Sequence, residues 1–232
     1  MITIITPSLG FEERLHKTYH SIEDLLPHGI KWLIKSNSSV ELKHEFNNTN
    51  IACLPDTSIC EASQQGLLIA DSTYVQFMGA GDIVHPEIYK SFLNNHSDIL
   101  TNNNYDLISF NCYIESENHV MESNPNMMFN HMSMPFPSCI IRRELAISVG
   151  GFSSFYKIAC DYDLLVKMIK AGARIKVFNN TLTTLEAGGI SETGWLEGQV
   201  EVKLSLFRNQ IRNQKQFASD LAGLVSSAIN RF

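Results

Sequence analysis

Short apolar runs closed by turn-forming residues alternate, along the first third of the chain, with stretches whose apolar positions recur every three or four residues. Ile2 to Thr6 is a continuous β-branched run closed by Pro7, the pattern of a strand buried on both faces. Ser8 to Ile22 follows with Leu15, Tyr19 and Ile22 at helical spacing. A second strand is expected over Lys31 to Lys35, ended by Ser36-Asn37-Ser38-Ser39, then a helix over Val40 to Phe46. Ile51 to Leu54 gives a third strand, ended by Pro55-Asp56. Ser58 to Ala70 gives a helix with Ile59, Ala62, Gly66 and Ile69 on one face, and Tyr74 to Met78 a fourth strand. This alternation predicts a doubly wound parallel sheet. Ligands bind such sheets beyond the carboxyl ends of the strands, where Pro7-Ser8, Ser36-Asn37, Pro55-Asp56 and Gly81-Asp82 all fall.

The second half is less regular. Asp106 to Tyr113 is a strand candidate, and Glu115 to Met134, rich in Asn, Met and His, reads as a long mobile loop. Cys139 to Ile141 reads as a strand, Arg143 to Val149 as a helix stopped by Gly150-Gly151, and Asp161 to Ala171 as a helix stopped by Gly172. Arg174 to Phe178 and Leu182 to Leu185 read as two strands. From Trp195 to Phe232 the chain looks helical, with Phe217, Leu221, Leu224, Ala228 and Phe232 as one apolar stripe. That stripe leaves open packing on its own domain, dimerisation, or peripheral contact with a membrane. The oligomeric state is not readable.

Composition narrows the classes. With 232 residues and 44% apolar content the chain can bury a sizeable α/β core, and its net charge of −6 argues against nucleic acid as a partner. The cysteines, Cys53, Cys60, Cys112, Cys139 and Cys160, show no CxxC pair or metal-ligand spacing, and suit reduced, mostly buried thiols. No basic segment precedes the apolar Ile2–Ile5 and no apolar run approaches the roughly 18 residues that span a bilayer. The expected location is the cytoplasm, including the inner face of the membrane if the stripe docks there.

Three places offer chemistry. Tyr74-Val75-Gln76-Phe77-Met78-Gly79-Ala80-Gly81-Asp82 reads as a buried strand whose glycines let backbone approach a ligand. Asp82 there either caps the helix near Pro86 or holds a divalent cation. Asp161-Tyr162-Asp163 is either an N-cap with acidic first-turn residues or a source of a general base, and both can hold at once. Gly188-Gly189-Ile190-Ser191 is either a plain turn or an N–H nest for phosphate. The histidines form no HxH set, and no GxGxxG after the first strand, GxxxxGK[ST] or GxSxG is present.

The order of these features resembles family 2 glycosyltransferases of the GT-A fold, more narrowly the bacterial colanic-acid and exopolysaccharide type. Ile2-Thr3-Ile4-Ile5-Thr6-Pro7 is similar to the family's opening strand, and Leu54-Pro55-Asp56 with Ile59-Cys60-Glu61-Ala62-Ser63-Gln64-Gln65-Gly66 to its EPDxGIYDAMNKG pattern. Phe77-Met78-Gly79-Ala80-Gly81-Asp82 resembles FLNSDD or FLNSGD, Cys160-Asp161-Tyr162-Asp163-Leu164 with Lys167-Met168-Ile169-Lys170-Ala171-Gly172 resembles SDYxLxxKMxxAG, and Gly188-Gly189-Ile190-Ser191 resembles GG(V/I)S. The likeness covers roughly residues 2 to 193 in register.

The resemblance implies a GT-A fold, a Rossmann-like mostly parallel sheet flanked by helices. Residues 1–193 would form that domain, divided into a nucleotide-sugar half (1–113) and an acceptor half (114–193), with 194–232 a C-terminal helical extension. It implies an inverting hexosyltransferase moving a sugar from a nucleotide-sugar donor, a UDP-sugar first, to a saccharide or lipid-linked saccharide in surface polysaccharide synthesis. Asp161 would be the base. Thr6, Pro7, Ser8, Asn37, Asp56, Gln64 and Gly81 would hold the nucleotide-sugar, Asp82 an Mg²⁺ or Mn²⁺, and Ser138, Gly188, Gly189 and Ser191 the acceptor side and lid. The family's DGxSxDGT stands here as Lys35-Ser36-Asn37-Ser38-Ser39, without its carboxylate, and its DxD is reduced to Asp82. These departures keep an alternative in view: a non-catalytic sugar-nucleotide or glycan binding relative. A nucleotidyltransferase ranks third, since Ser8-Leu9-Gly10-Phe11 lacks the glycine-rich basic signature.

Overall fold

In the computed structural model, residues 1–8, 13–37, 46, 49–189 and 193–229 are described. The helix expected from Val40, and Ser191 of the glycine turn, lie outside them, as do Ser38 and Ser39. The four N-terminal apolar runs form strands β1 (Ile2–Ser8), β2 (Ile30–Ser36), β3 (Thr49–Cys53) and β4 (Tyr74–Phe77), paired in parallel in the order β3-β2-β1-β4. Consecutive apolar residues serve opposite faces, as the two-residue period of a strand requires. Ile5, Leu33, Leu107 and Ile141 enter one core, while Ile4, Ile34, Ile108 and Ile140 enter the other. Pro7 fits inside β1 because the Ile5 carbonyl already accepts the Met78 N–H. Two residues on, Pro7 faces the same side beyond the end of β4, where no donor is needed.

Helix α1 (Arg14–Ile22) covers the second core and α2 (Ile59–Ile69) the first. Ser58 caps α2, its hydroxyl accepting the Glu61 N–H. Gly66 lets α2 lie directly on β1: a Cβ there would stand 2.6 Å from Ile5 Cγ2. The first helix is shorter than expected, and Glu23–His28 tightens into a 3-10 turn ended by Gly29 at φ 84°.

Past β4 the sheet stops being doubly wound. The order continues through β8 (Cys139–Arg142), β6 (Leu107–Ile114), β9 (Ile175–Leu185) and β5 (Ile83–Val84), with β7 (His119–Met121) on β6. β8 runs antiparallel to both β4 and β6, and β6 and β9 are parallel. Helices α3 (Pro86–Asn95), α4 (Ser97–Thr101), α5 (Arg143–Ser148) and α6 (Cys160–Lys170) complete the layers.

Several expectations are corrected here. The Glu115–Met134 segment is not a structureless loop. It contains β7 and a 3-10 turn at Pro125–Met127, is cross-tied by Asn124 and Ser133, and sinks Met128 and Met134 fully into the core. The two strands expected around Asn179-Asn180 are one, β9, whose register against β6 shifts there. The C-terminal helix is two, α7 (Trp195–Arg208) and α8 (Gln214–Ile229), separated where Gln210 takes φ 59°. On α8 the expected stripe residues Phe217, Leu221, Leu224 and Ala228 are half-buried, and Phe217 stacks on Phe207 with centroids 4.9 Å apart. Not all cysteines are free thiols: Cys60 and Cys160 form a disulfide, Cα atoms 5.9 Å apart, because the fold brings the starts of α2 and α6 together across 100 residues of sequence. No described helix is long and apolar enough to cross a membrane.

Candidate functional site

The carboxyl ends of β1, β2, β3 and β4 open on one side of the sheet. Lys35, fully buried in β2, donates to the Leu54 carbonyl at 2.7 Å and to Asp56 Oδ2 at 2.5 Å. Asn37 Oδ1 accepts the Asp56 N–H at 2.9 Å. The missing carboxylate of the second strand end is therefore met by a cation and an amide that both fix Asp56. Thr6 is buried and accepts the Trp32 indole N–H at 3.0 Å, so its hydroxyl serves the core. Pro7 and Ser8 close β1 as buried residues.

At the end of β4, Asp82 is only 9% exposed. It does not cap α3, which begins after His85 without a side-chain cap. Its Oδ2 accepts the Gly79 N–H at 2.8 Å and its Oδ1 the Glu186 N–H at 3.2 Å. Thr18 of α1 accepts the Gly81 N–H at 2.9 Å and donates to the Asp82 carbonyl at 2.9 Å. Burial lifts the Asp82 pKa to about 6, against the lowering pull of the two N–H bonds and of Arg14. Gly81 takes φ +100°, and the space its missing Cβ leaves is filled by the Glu186 carboxylate and by Arg14, whose Nε lies 3.0 Å from where that Cβ would stand. Glu186 in turn pairs with Arg14 and, at 3.1 Å, with Lys17.

A divalent cation held together with a diphosphate needs one or two carboxylate oxygens directed at it from the protein. Here both Asp82 oxygens accept backbone N–H groups and both Glu186 oxygens face cations. No group of three His, Cys, Asp or Glu side chains converges among the described residues. The donor set does not fit the Mg²⁺ or Mn²⁺ expected at Asp82.

Across from this corner, α6 starts with Cys160 bonded to Cys60 and Asp161 next in sequence. Asp161 is half-buried; its Oδ1 accepts the Tyr162 N–H at 2.7 Å. Burial raises its pKa to about 6, with the two local N–H bonds opposing and the Glu201 charge adding. Neither aspartate is the N-cap. The start of α6 is instead held by Glu201 of α7, whose carboxylate accepts the Lys157, Ile158 and Ala159 N–H groups at 2.8, 2.9 and 2.8 Å. Asp163 is committed to structure: it accepts from Ser205 and Asn209 at 2.8 Å each and pairs with Lys167 at 3.0 Å.

Two buried thiols stand on the adjacent strands β6 and β8. Burial first, and the Asp82 charge among the smaller causes, raises Cys112 to about 11. Burial first, and then Asp161, raises Cys139 to about 12. Gln64 Oε1 accepts the Phe152 N–H at 2.8 Å over Gly151, tying α2 to the turn after α5. Ser138, expected on the acceptor side, is fully buried with its hydroxyl against the Asn111 carbonyl (2.9 Å) and Thr183 (2.6 Å), because a 3-10 turn at Phe136–Ser138 packs it between β6 and β9. Gly188 adopts φ 85° and Gly189 accepts the Thr193 N–H at 3.3 Å. Sequence reasoning missed Lys35, Glu186 and Glu201, and for Glu201 no local signal exists, since its partners lie 42 to 44 residues away.

No protein-family model and no curated protein matches the sequence. Solved structures do match the fold. The S. aureus TarS 1–349 structure shares 15% identity over 97% of this chain and 70% of that one, TM-score 0.62; this chain spans 42% of the longer TarS structure. Glucosyl-3-phosphoglycerate synthase from Mycobacterium tuberculosis, in complex with Mn²⁺, UDP and phosphoglyceric acid, shares 15% identity over 92% of this chain and 80% of that one, TM-score 0.65. The mannosyltransferase PcManGT from Pyrobaculum calidifontis, in complex with GDP-Man and Mn²⁺, shares 14% identity over 96% and 69%, TM-score 0.62. The chain has the α/β fold of GT-A glycosyltransferases, a mostly parallel sheet flanked by helices.

Proposed function

We propose that the protein transfers a sugar from a nucleoside-diphosphate sugar, a UDP-sugar first, to a hydroxyl of a saccharide or lipid-linked saccharide with inversion. The observation that carries this reading is Asp161. It is a carboxylate at the start of α6, next to the disulfide that joins this helix to the start of α2, with a pKa raised to about 6, suited to a general base near neutral pH. Asp161 takes the proton of the acceptor hydroxyl as that oxygen bonds to the anomeric carbon. The bond from that carbon to the diphosphate oxygen breaks in the same displacement, and the leaving diphosphate carries the negative charge away. Asp56, held by Lys35 and Asn37, faces the nucleoside. Gly188 and Gly189 shape the acceptor side. No step runs through a metal, because the donor set does not fit one. The C-terminal helices serve as an extension of the catalytic domain, and peripheral placement at the inner face of the membrane suits a lipid-linked acceptor.

The test is turnover with a panel of nucleotide-sugars. Asp161→Asn should lower kcat by about 10²- to 10⁴-fold with the fold retained; wild-type turnover would remove Asp161 as the base. The engagement of both Asp82 oxygens by backbone favours a second reading, a sugar-nucleotide binding protein without chemistry. Nucleotide binding with no turnover on any donor and acceptor would select it.

A further inference from the structure

The corner where a metal would neutralise the leaving diphosphate holds two cations of this chain. Arg14 and Lys17 stand one turn apart at the start of α1, and both reach the single carboxylate of Glu186. They lie directly on the strand end, since Arg14 and Glu186 occupy the space above Gly81. Glu186 is fixed there by its own N–H on Asp82, which explains why Asp82 is turned inward to backbone. Both cations share the one Glu186 carboxylate, and both basic side chains remain partly exposed, at 44% and 38%.

We propose that Arg14 and Lys17 bind the donor's diphosphate in place of a divalent cation, and that Glu186 is the internal anion the diphosphate displaces. A guanidinium presents a fork of donors to phosphate oxygens and an ammonium a mobile point charge, so the pair matches a diphosphate in both geometry and sign. Asp82 is then a positioning residue that keeps Glu186 at the corner. This rests on the donor reading above, but it can fail separately from it.

The experiment is calorimetric titration of the whole chain with UDP, inorganic pyrophosphate and uridine, in EDTA and again with Mn²⁺. UDP and pyrophosphate should bind in EDTA, and Mn²⁺ should change their affinity less than about threefold. Arg14→Gln and Lys17→Gln should each weaken both by about 10- to 100-fold, leaving any uridine binding unchanged. Glu186→Gln should tighten both, because the competing charge is gone. UDP binding that requires Mn²⁺, or that ignores Arg14→Gln and Lys17→Gln, overturns the inference while the donor reading stands. Pyrophosphate binding through Arg14 and Lys17 with no preference for UDP supports the inference and overturns the donor reading. If neither ligand binds under any condition, both fall.

Discussion

Burial without a countercharge is what separates Asp161 from Asp163, two residues on along the same helix. Asp163 has Lys167, Ser205 and Asn209 around it, while Asp161 has only local N–H groups and the like charge of Glu201. A base with pKa about 6 must lose its proton to work. The rate kcat/KM should therefore hold above pH 7 and fall about tenfold per pH unit well below 6. A profile flat down to pH 4.5 would exclude this base. The same shift acts on stability with a definite sign. The folded form holds the Asp161 proton more tightly than the unfolded chain, so this group's contribution is full below about pH 4 and is lost as pH rises through about 6. Asp161→Asn at pH 7 should then unfold no earlier than the wild type, which distinguishes lost chemistry from lost fold in a thermal melt. The acidic start of α6 was legible in the sequence, and the resemblance singled out Asp161 within it. The inward turn of Asp82 was not, since the residue fixing it, Glu186, lies 104 positions away.

At the scale of elements, two contacts decide how the layers sit. Gly66→Ala puts a methyl 2.6 Å from Ile5 Cγ2, between a helix and a central strand that have no free side to yield. It should destabilise by about 1–3 kcal/mol, seen as a lower denaturant midpoint; an unchanged midpoint would mean α2 shifts freely on β1. Glu201→Gln keeps the shape of the side chain but loses the charge that receives three N–H groups at the start of α6. Faster hydrogen exchange at Lys157, Ile158 and Ala159 should follow, with a loss of about 1–3 kcal/mol. Protection equal to the wild type would show that the cap is not needed. The strands β1 to β4 and the helices α2 and α6 were readable because their apolar pattern is unbroken, with Gly79 just past β4 and Gly172 just past α6. The direction of β8 was not, because an apolar run such as Cys139–Ile141 looks the same running either way. Asn179-Asn180 imitated a turn, but β9 absorbs the pair by shifting register against β6.

For the whole molecule, side chains far apart in sequence hold separate segments together. Gln64 reaches Phe152, Cys60 reaches Cys160, and Arg212 of the C-terminal segment donates to the Phe129 carbonyl at 2.9 Å. The alternation of elements foretold an α/β sheet, and the fold has one. What joins the starts of α2 and α6 stayed hidden, since spacing along a chain carries no record of partners a hundred residues distant. The Cys60–Cys160 bond also encloses the exposed turn at Glu117 within its loop. A glutamate-specific protease cutting there would nick the chain without parting it. The nicked protein should run at full mass on a gel without reductant and as two fragments with it; two fragments under both conditions would show the bond is absent. A clipped yet undivided molecule would keep the starts of α2 and α6 tethered, so a single backbone break in this turn need not end its working life.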